Sequence, residues 1–273
     1  MTSQDRQATP SDEADTAHPE LAFDTSVPHP ARRYDYWLGG KDNFAADRAS
    51  GDAIEAVFPT IRVTAVENRR FLARAVRFLT AEVGIDQFLD VGTGIPTANN
   101  THEVAQQVNP AATVVYVDND PIVLAHARAL LNSHPNGATA YIDADLRQPE
   151  TILTDPALAA TLDLSRPVAL MLVSVMHFFP DQDEPHAIVH QLAQALPADS
   201  YLVLSHASGD FVDSQPVDRA SCRYPSGVPQ PTPPPGPAPP TSACGPGWPV
   251  YTPPMADHHD TRLPRGWQGT GIG

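Results

Sequence analysis

The sequence predicts an α/β fold with a mostly parallel sheet and helices on both faces. Three observations carry that prediction. Five short apolar runs, largely without polar alternation, are each followed or preceded by a segment of helical character, which is how strands buried on both faces read. One of these runs, Phe88-Leu89-Asp90-Val91, ends in an acid and a glycine turn, Gly92-Thr93-Gly94. A second acid-terminated run, Tyr116-Val117-Asp118, follows it, with Asp118 24 positions after Gly94.

Taken in order, residues 1–27 are acidic and short of apolar side chains, and their composition is that of a disordered N-terminus. Residues 28–83 read as a helical arm. Ala31–Phe44 packs aromatic, basic and glycine residues closely, and Ala45–Val57 has helical composition. The stretch 62–83 is amphipathic through Val63, Val66, Phe71, Ala75, Phe78, Leu79 and Val83 until Gly84 ends it. Residues 84–211 form the core. Its expected strands are Gln87–Val91, Thr113–Val117, Ala138–Asp143, Val168–Val173 and Ser200–Ser205. Its expected helices are Asn99–Val108, Pro121–Leu131, Ala157–Leu162 and Ala187–Leu196, the second with proline in its first turn. Residues 212–273 are a proline- and glycine-rich tail with no periodic segment. From 216 onward they hold 15 of the chain's 30 prolines and 8 of its 16 glycines, so neither helix nor inner strand is expected.

Composition removes several function classes. A formal net charge of −15 argues against nonspecific binding to a nucleic-acid backbone. No apolar run approaches the roughly 18–20 residues of a membrane span, and no basic-then-apolar secretory leader opens the chain. Cys222 and Cys244, the two cysteines, both fall in the tail. The core is therefore expected to need neither disulfide nor thiolate metal site, consistent with a reducing cytoplasm. His258-His259-Asp260 beside those cysteines matches no zinc spacing, so no metal is expected.

The glycine turn indicates the ligand. An acid at the tip of the second strand can accept both hydroxyls of a ribose, which is how a Rossmann-like sheet holds a nucleoside-containing cofactor. A dinucleotide site needs G-x-G-x-x-G, whereas Gly92-Thr93-Gly94-Ile95-Pro96-Thr97 has Thr97 in the third position and a proline before it. Asp90, just before the turn, would repel a pyrophosphate but suits a cationic or zwitterionic ligand. The D-x-G-x-G form with a later V-D resembles S-adenosylmethionine (SAM) methyltransferases.

Further segments resemble one bacterial family of SAM-dependent methyltransferases. These are Tyr34-Asp35-Tyr36-Trp37-Leu38-Gly39-Gly40-Lys41-Asp42-Asn43-Phe44-Ala45-Ala46-Asp47, then Glu67-Asn68-Arg69, Phe88–Gly94, His102–Gln106, Tyr116–Pro121, Val123–Arg128, Asp143–Arg147 and Tyr201–His206. Together they span roughly residues 28–210. The resemblance implies a Rossmann-like methyltransferase fold, SAM as cofactor and a small-molecule acceptor. It places Asp90, Gly92 and Gly94 around the methionine part, Asp118 at the ribose with Asp120 as its competitor, and Asp145 with the Leu146 backbone at the adenine, with Asp143 the near alternative to Asp145; Thr93 and Asn119 are further cofactor-binding candidates. It also implies that Tyr34, Tyr36, Trp37, Lys41 and Asn43 belong to a lid, for which an arm packed on the core is the structural alternative. His177, after strand four, is the candidate to take a proton from an attacking N or O, since an imidazole titrates near neutrality. A packed structural histidine is the alternative.

The tail departs from the family, whose sheets usually close with two more strands. Without them the fold lacks its closing edge, by a shifted reading frame or by divergence, and strand five is left as an edge. Two other functions remain open: a methyltransferase-like domain that holds SAM without turnover, and a nicotinamide oxidoreductase, against which Pro96 and Thr97 argue.

Overall fold

The structure, a computed structural model, describes residues 24–130 and 133–207. The expected disordered tail, its cysteines and its histidines therefore lie outside the described residues, as do residues 1–23. Asp24–Val27, grouped by composition with the N-terminus, form a turn in which Asp24 Oδ1 accepts from Ser26 N and Oγ.

The arm contains three helices. Helix α1 (Pro30–Trp37) begins on proline, with His29 as its cap. Helix α2 (Ala45–Val57) starts where the Asp47 carboxylate reaches back to Phe44 N at 2.8 Å. Helix α3 (Ile61–Phe78) continues into one π-helical turn, Leu79–Val83, and Gly84 at φ +84° ends it in the left-handed region. The buried stripe of α3 differs from the one the apolar spacing predicts. It runs through Ile61, Ala65, Asn68, Leu72 and Val76, while Val63 and Phe78 stand exposed. The reason is Asn68, whose amide is bonded at both ends and so sits on the inward face despite its polarity.

The core is a five-stranded sheet of β1 (Gln87–Val91), β2 (Thr113–Asp118), β3 (Ala138–Asp143), β4 (Ala169–Val173) and β5 (Tyr201–Ser205), in the order β3-β2-β1-β4-β5 with every pairing parallel. All five strands stand where the sequence places them, to within a residue at either end. Helices α4 (Thr101–Val108), α5 (Pro121–Leu130), α6 (Pro149–Leu153), α7 (Pro156–Thr161) and α8 (Pro185–Gln194) make up the crossovers. The short α6 went unpredicted because five residues carry too little periodicity. Among the described residues β5 is an edge strand, and Leu204 on it is exposed.

Alternate residues of each inner strand feed opposite cores. Leu89, Val115, Leu170 and Leu172 pack with Leu158, Ile188 and Leu192 on one face. Phe88, Val114, Tyr116 and Met171 pack with Leu72, Val76 and Val104 on the other. Burying each such side chain contributes roughly 1.5–3 kcal/mol, and truncating a fully buried one such as Leu170 to alanine would cost about 2–5 kcal/mol. The consequence for function is topological. The chain leaves β1 toward β2 on one side and returns to β4 on the other, so a crevice opens at the carboxyl ends of β1 and β4.

Candidate cofactor site

Gly92 and Gly94 both adopt positive φ, +76° and +68°, so the turn folds back over the strand ends. Gly92 N donates to Val117 O at 2.8 Å and Gly94 N to Asp118 Oδ2 at 2.8 Å. The turn after β1 is thereby tied directly to the acid that ends β2. The two glycines are glycine for different reasons. A Cβ on Gly92 would run into Val175, whereas a Cβ on Gly94 would meet nothing within 4 Å. Gly92 is thus required by packing and Gly94 borders open space. Thr93 braces the turn, its hydroxyl lying 3.1 Å from Asp90 O and 3.3 Å from Val117 O. The helix that follows begins at Thr101, two residues later than the sequence predicts, so the turn runs into an irregular loop and not straight into a helix N-terminus.

Asp90 is buried, and its carboxyl is pushed up to about 6, chiefly by burial. The Thr101 hydroxyl and the charge of Arg69 oppose that shift, and Asp118 adds to it. Thr101 Oγ1 donates to Oδ2 at 2.5 Å, while no hydrogen bond reaches Oδ1 among the described residues. Tyr116 lies beside Asp90 in the strand register and Tyr141 beside Tyr116, their rings stacked at 5.3 Å. The Tyr116 hydroxyl accepts from His102 N at 2.8 Å.

Asp118 accepts from Gly94 N on one oxygen and from Asp120 N, at 3.0 Å, on the other. Burial raises its carboxyl above the usual range. Asp120, the sequence's competitor for the ribose, is committed elsewhere. Its Oδ1 accepts from Ile122 N at 2.8 Å, and its Oδ2 lies 2.9 Å from His29 Nδ1 and 3.6 Å from Arg32 Nε. Burial alone would lift its carboxyl, but His29, the Ile122 amide and Arg32 together hold it low. Half-buried Asn119 lies between the two acids.

Asp145 carries Arg147 on both oxygens, at 2.6–3.0 Å, which outweighs its burial and keeps it ionised. Leu146 packs its side chain into the core, and among the described residues nothing accepts from its backbone N–H. Asp143 is exposed.

The arm residues form a packed unit. Tyr34 OH donates to Ala65 O, Tyr36 OH to Asp52, Trp37 Nε1 to Gly51 O and Asn43 Nδ2 to Asp35, while Lys41 is exposed. Contact with the cofactor end of the sheet comes from arm residues that sequence reasoning passed over. His29 and Arg32 meet Asp120, and Phe44 and Ala31 pack with Ile95 of the turn. Asp47, fully buried, accepts from His29 N and Phe44 N and lies 3.7 Å from Arg32 Nε. A polar chain also runs from the arm to the end of β4. Asn68 Nδ2 donates to Tyr34 OH, Ser205 Oγ to Asn68 Oδ1 and Ser174 N to Ser205 Oγ, with Ser174 held at φ +62°. A non-glycine residue at such an angle costs about 1–3 kcal/mol and persists only where its surroundings hold it.

His177 sits beyond Ser174, edge-to-face with His206 at 5.7 Å. Burial, then His206 and Arg33, push its titration down to about 3. The expectation of an imidazole titrating near neutrality is therefore corrected. His177 is neutral throughout the physiological range, because any charge on it would be desolvated and close to other cations.

No group of metal-ligating side chains occurs among the described residues, and no described helix is long and apolar enough to cross a membrane. Comparison with known proteins identifies the family. The model of the S-adenosyl methyltransferase family matches residues 16–227, extending at both ends beyond the 28–210 legible from motifs. Among solved structures, a DUF574 family protein from Streptomyces avermitilis is 50% identical with a TM-score of 0.68, the match covering 69% of this chain and 72% of that one. A protein from Thermobifida fusca, described as a candidate methyltransferase, is 47% identical with a TM-score of 0.66, the match covering 72% and 73%. No curated protein matches. The chain belongs to the S-adenosyl methyltransferase family, whose cofactor is S-adenosylmethionine.

Proposed function

We propose, with that family membership as premise, that this protein transfers the methyl group of SAM to a small-molecule acceptor in the crevice at the ends of β1 and β4. The observation that carries the reading is the pair of buried acids, Asp90 and Asp118, bridged by a glycine turn with open space above Gly94. The residues fit SAM. Asp90 Oδ1 is left for an ammonium group, Asp118 has lone pairs for ribose hydroxyls beside its two amide bonds, and the space at Gly94 admits a ligand where any Cβ would stand. Asn119 flanks the ribose position, and the Leu146 N–H with Asp145 gives a donor and an acceptor for the edge of an adenine. Thr93 acts through the turn it braces.

SAM supplies an electrophilic methyl on a sulfonium, and the chain's task is alignment and exclusion of water. The arm does the covering. It is fastened at Asp120 through His29 and Arg32 and at the turn through Phe44, while Tyr34, Tyr36, Trp37 and Asn43 keep it rigid. Exposed Lys41 lies on the connection between α1 and α2. Neutral His177 serves as a positioning residue that accepts a hydrogen bond from the acceptor, since a group titrating near 3 is too weak to carry off its proton at pH 7.

The test pairs calorimetry with SAM against transfer of a labelled methyl group into a small-molecule extract, with mass spectrometry of nucleosides that co-purify. SAM binding with label incorporated is the expected result. Binding without transfer would assign a SAM-holding protein without turnover, and absence of binding would sink the reading.

A further inference from the structure

Arg69 belongs to a run, Glu67-Asn68-Arg69, that the site as described so far leaves partly unexplained. Asn68 belongs to the polar chain between arm and sheet. Arg69 reaches from α3 across to the loop that follows the glycine turn. Its Nη2 lies 3.2 Å from Ala98 O, 3.4 Å from Asn99 O and 3.4 Å from Asn100 Oδ1. Asn99 is at φ +62°, so this grip secures a strained point of the loop. Among the described residues, Arg69 donates its hydrogen bonds from Nη2. Nε is buried without a partner, and Nη1 donates to nothing among the described residues. A guanidinium is thus fixed in place with one terminal amine to spare.

We propose that Arg69 binds the carboxylate of the amino-acid end of SAM, forming with Asp90 a two-ended clamp on a zwitterion. The proposal rests on the reading that SAM lies over the turn. An amino-acid end carries both an ammonium and a carboxylate, and desolvating either without a counter-charge is costly. Asp90 answers the ammonium, and the carboxylate requires a cation nearby. The other cations around the crevice are placed elsewhere: His29 and Arg32 at Asp120, Arg147 at Asp145, and Arg33 near His177. Arg69 is the cation whose charge reaches Asp90, drawing its carboxyl downward against burial. Its planar fork also suits a carboxylate, giving a short, charge-assisted bond from a donor already oriented.

The alternative is that Arg69 only ties down residues 98–100, and three probes separate the two roles. They are S-adenosylhomocysteine, its decarboxylated analogue, which keeps the amine, and 5′-methylthioadenosine, which lacks the amino-acid end. The wild-type protein is expected to bind S-adenosylhomocysteine at least tenfold more tightly than the decarboxylated analogue. In Arg69→Met that preference should fall to within about twofold, with the affinity for methylthioadenosine unchanged. Equal weakening for all three probes would make Arg69 a loop anchor and overturn the clamp. Where Arg69→Met fails to fold by circular dichroism, the wild-type comparison still decides, since no preference for the carboxylate-bearing probe also overturns it. Wild-type protein that binds none of the three would instead sink the cofactor assignment itself.

Discussion

The two acids near the ends of β1 and β2 lie on adjacent strands yet are treated in opposite ways. The β2 end is fully wired. Asp118 takes two backbone amides, and Asp120 beside it is bound into a buried network with His29, Arg32 and Asp47 that fastens the arm. The β1 end is left incomplete. Asp90 has a single hydroxyl on one oxygen, and burial makes its ionised form costly. The contrast separates two tasks. The β2 end is built into the scaffold, and the β1 end holds a costly charge that, on the proposed reading, a cationic ligand would relieve.

The largest effect should come from breaking the wired end. Asp47→Ala removes the acceptor of two amides and leaves buried Arg32 with one carboxylate fewer, so a loss of about 3–5 kcal/mol is expected in urea denaturation. A loss below about 1 kcal/mol would mean that the arm does not depend on this network.

Next is the incomplete end, where the sign reverses. Because the carboxyl of Asp90 titrates higher in the folded state, its contribution to stability is complete below about pH 4 and disappears as pH rises through about 6. Asp90→Asn should therefore gain on the wild type as pH rises across that window, by up to about 3 kcal/mol at pH 7, while SAM affinity falls at least tenfold. A stability difference that is flat with pH would contradict the contrast between the two ends.

Asp118→Ala should weaken SAM binding at least tenfold. With two amides left unsatisfied, a loss of about 1–3 kcal/mol in stability is expected as well. Calorimetry and thermal melts on one preparation check both. The smallest effect belongs to Gly94→Ala, with about 1–2 kcal/mol of backbone strain and no clash. Gly92→Ala should cost more, because its Cβ meets Val175. Equal costs would remove the distinction between the two glycines.

The sheet was legible because each buried strand is a continuous apolar run, and the acids were legible because a charge at the end of such a run needs a reason. The network around Asp120 was not, since it joins His29 and Arg32 to an acid about ninety positions away, a juxtaposition no local pattern encodes. The α3 stripe misled for a related reason: Asn68 is buried by its partners and not by its own polarity. His177 follows β4 as its position in the sequence implies, but its titration is set by burial first and then by His206 and Arg33, all of which the fold brings about from distant segments.

The arm shares no backbone ladder with the sheet and is attached to it by side chains alone. Its first two helices, α1 and α2, can therefore let go together, at the cost of the ionic cluster at Asp120, the apolar patch at Ile95 and their contacts with α3, while Leu72 and Val76 of α3 stay in the core of the sheet. On the proposed covering role of the arm, Phe44→Ala is expected to speed SAM exchange while lowering the melting of the sheet less than a core truncation such as Leu170→Ala.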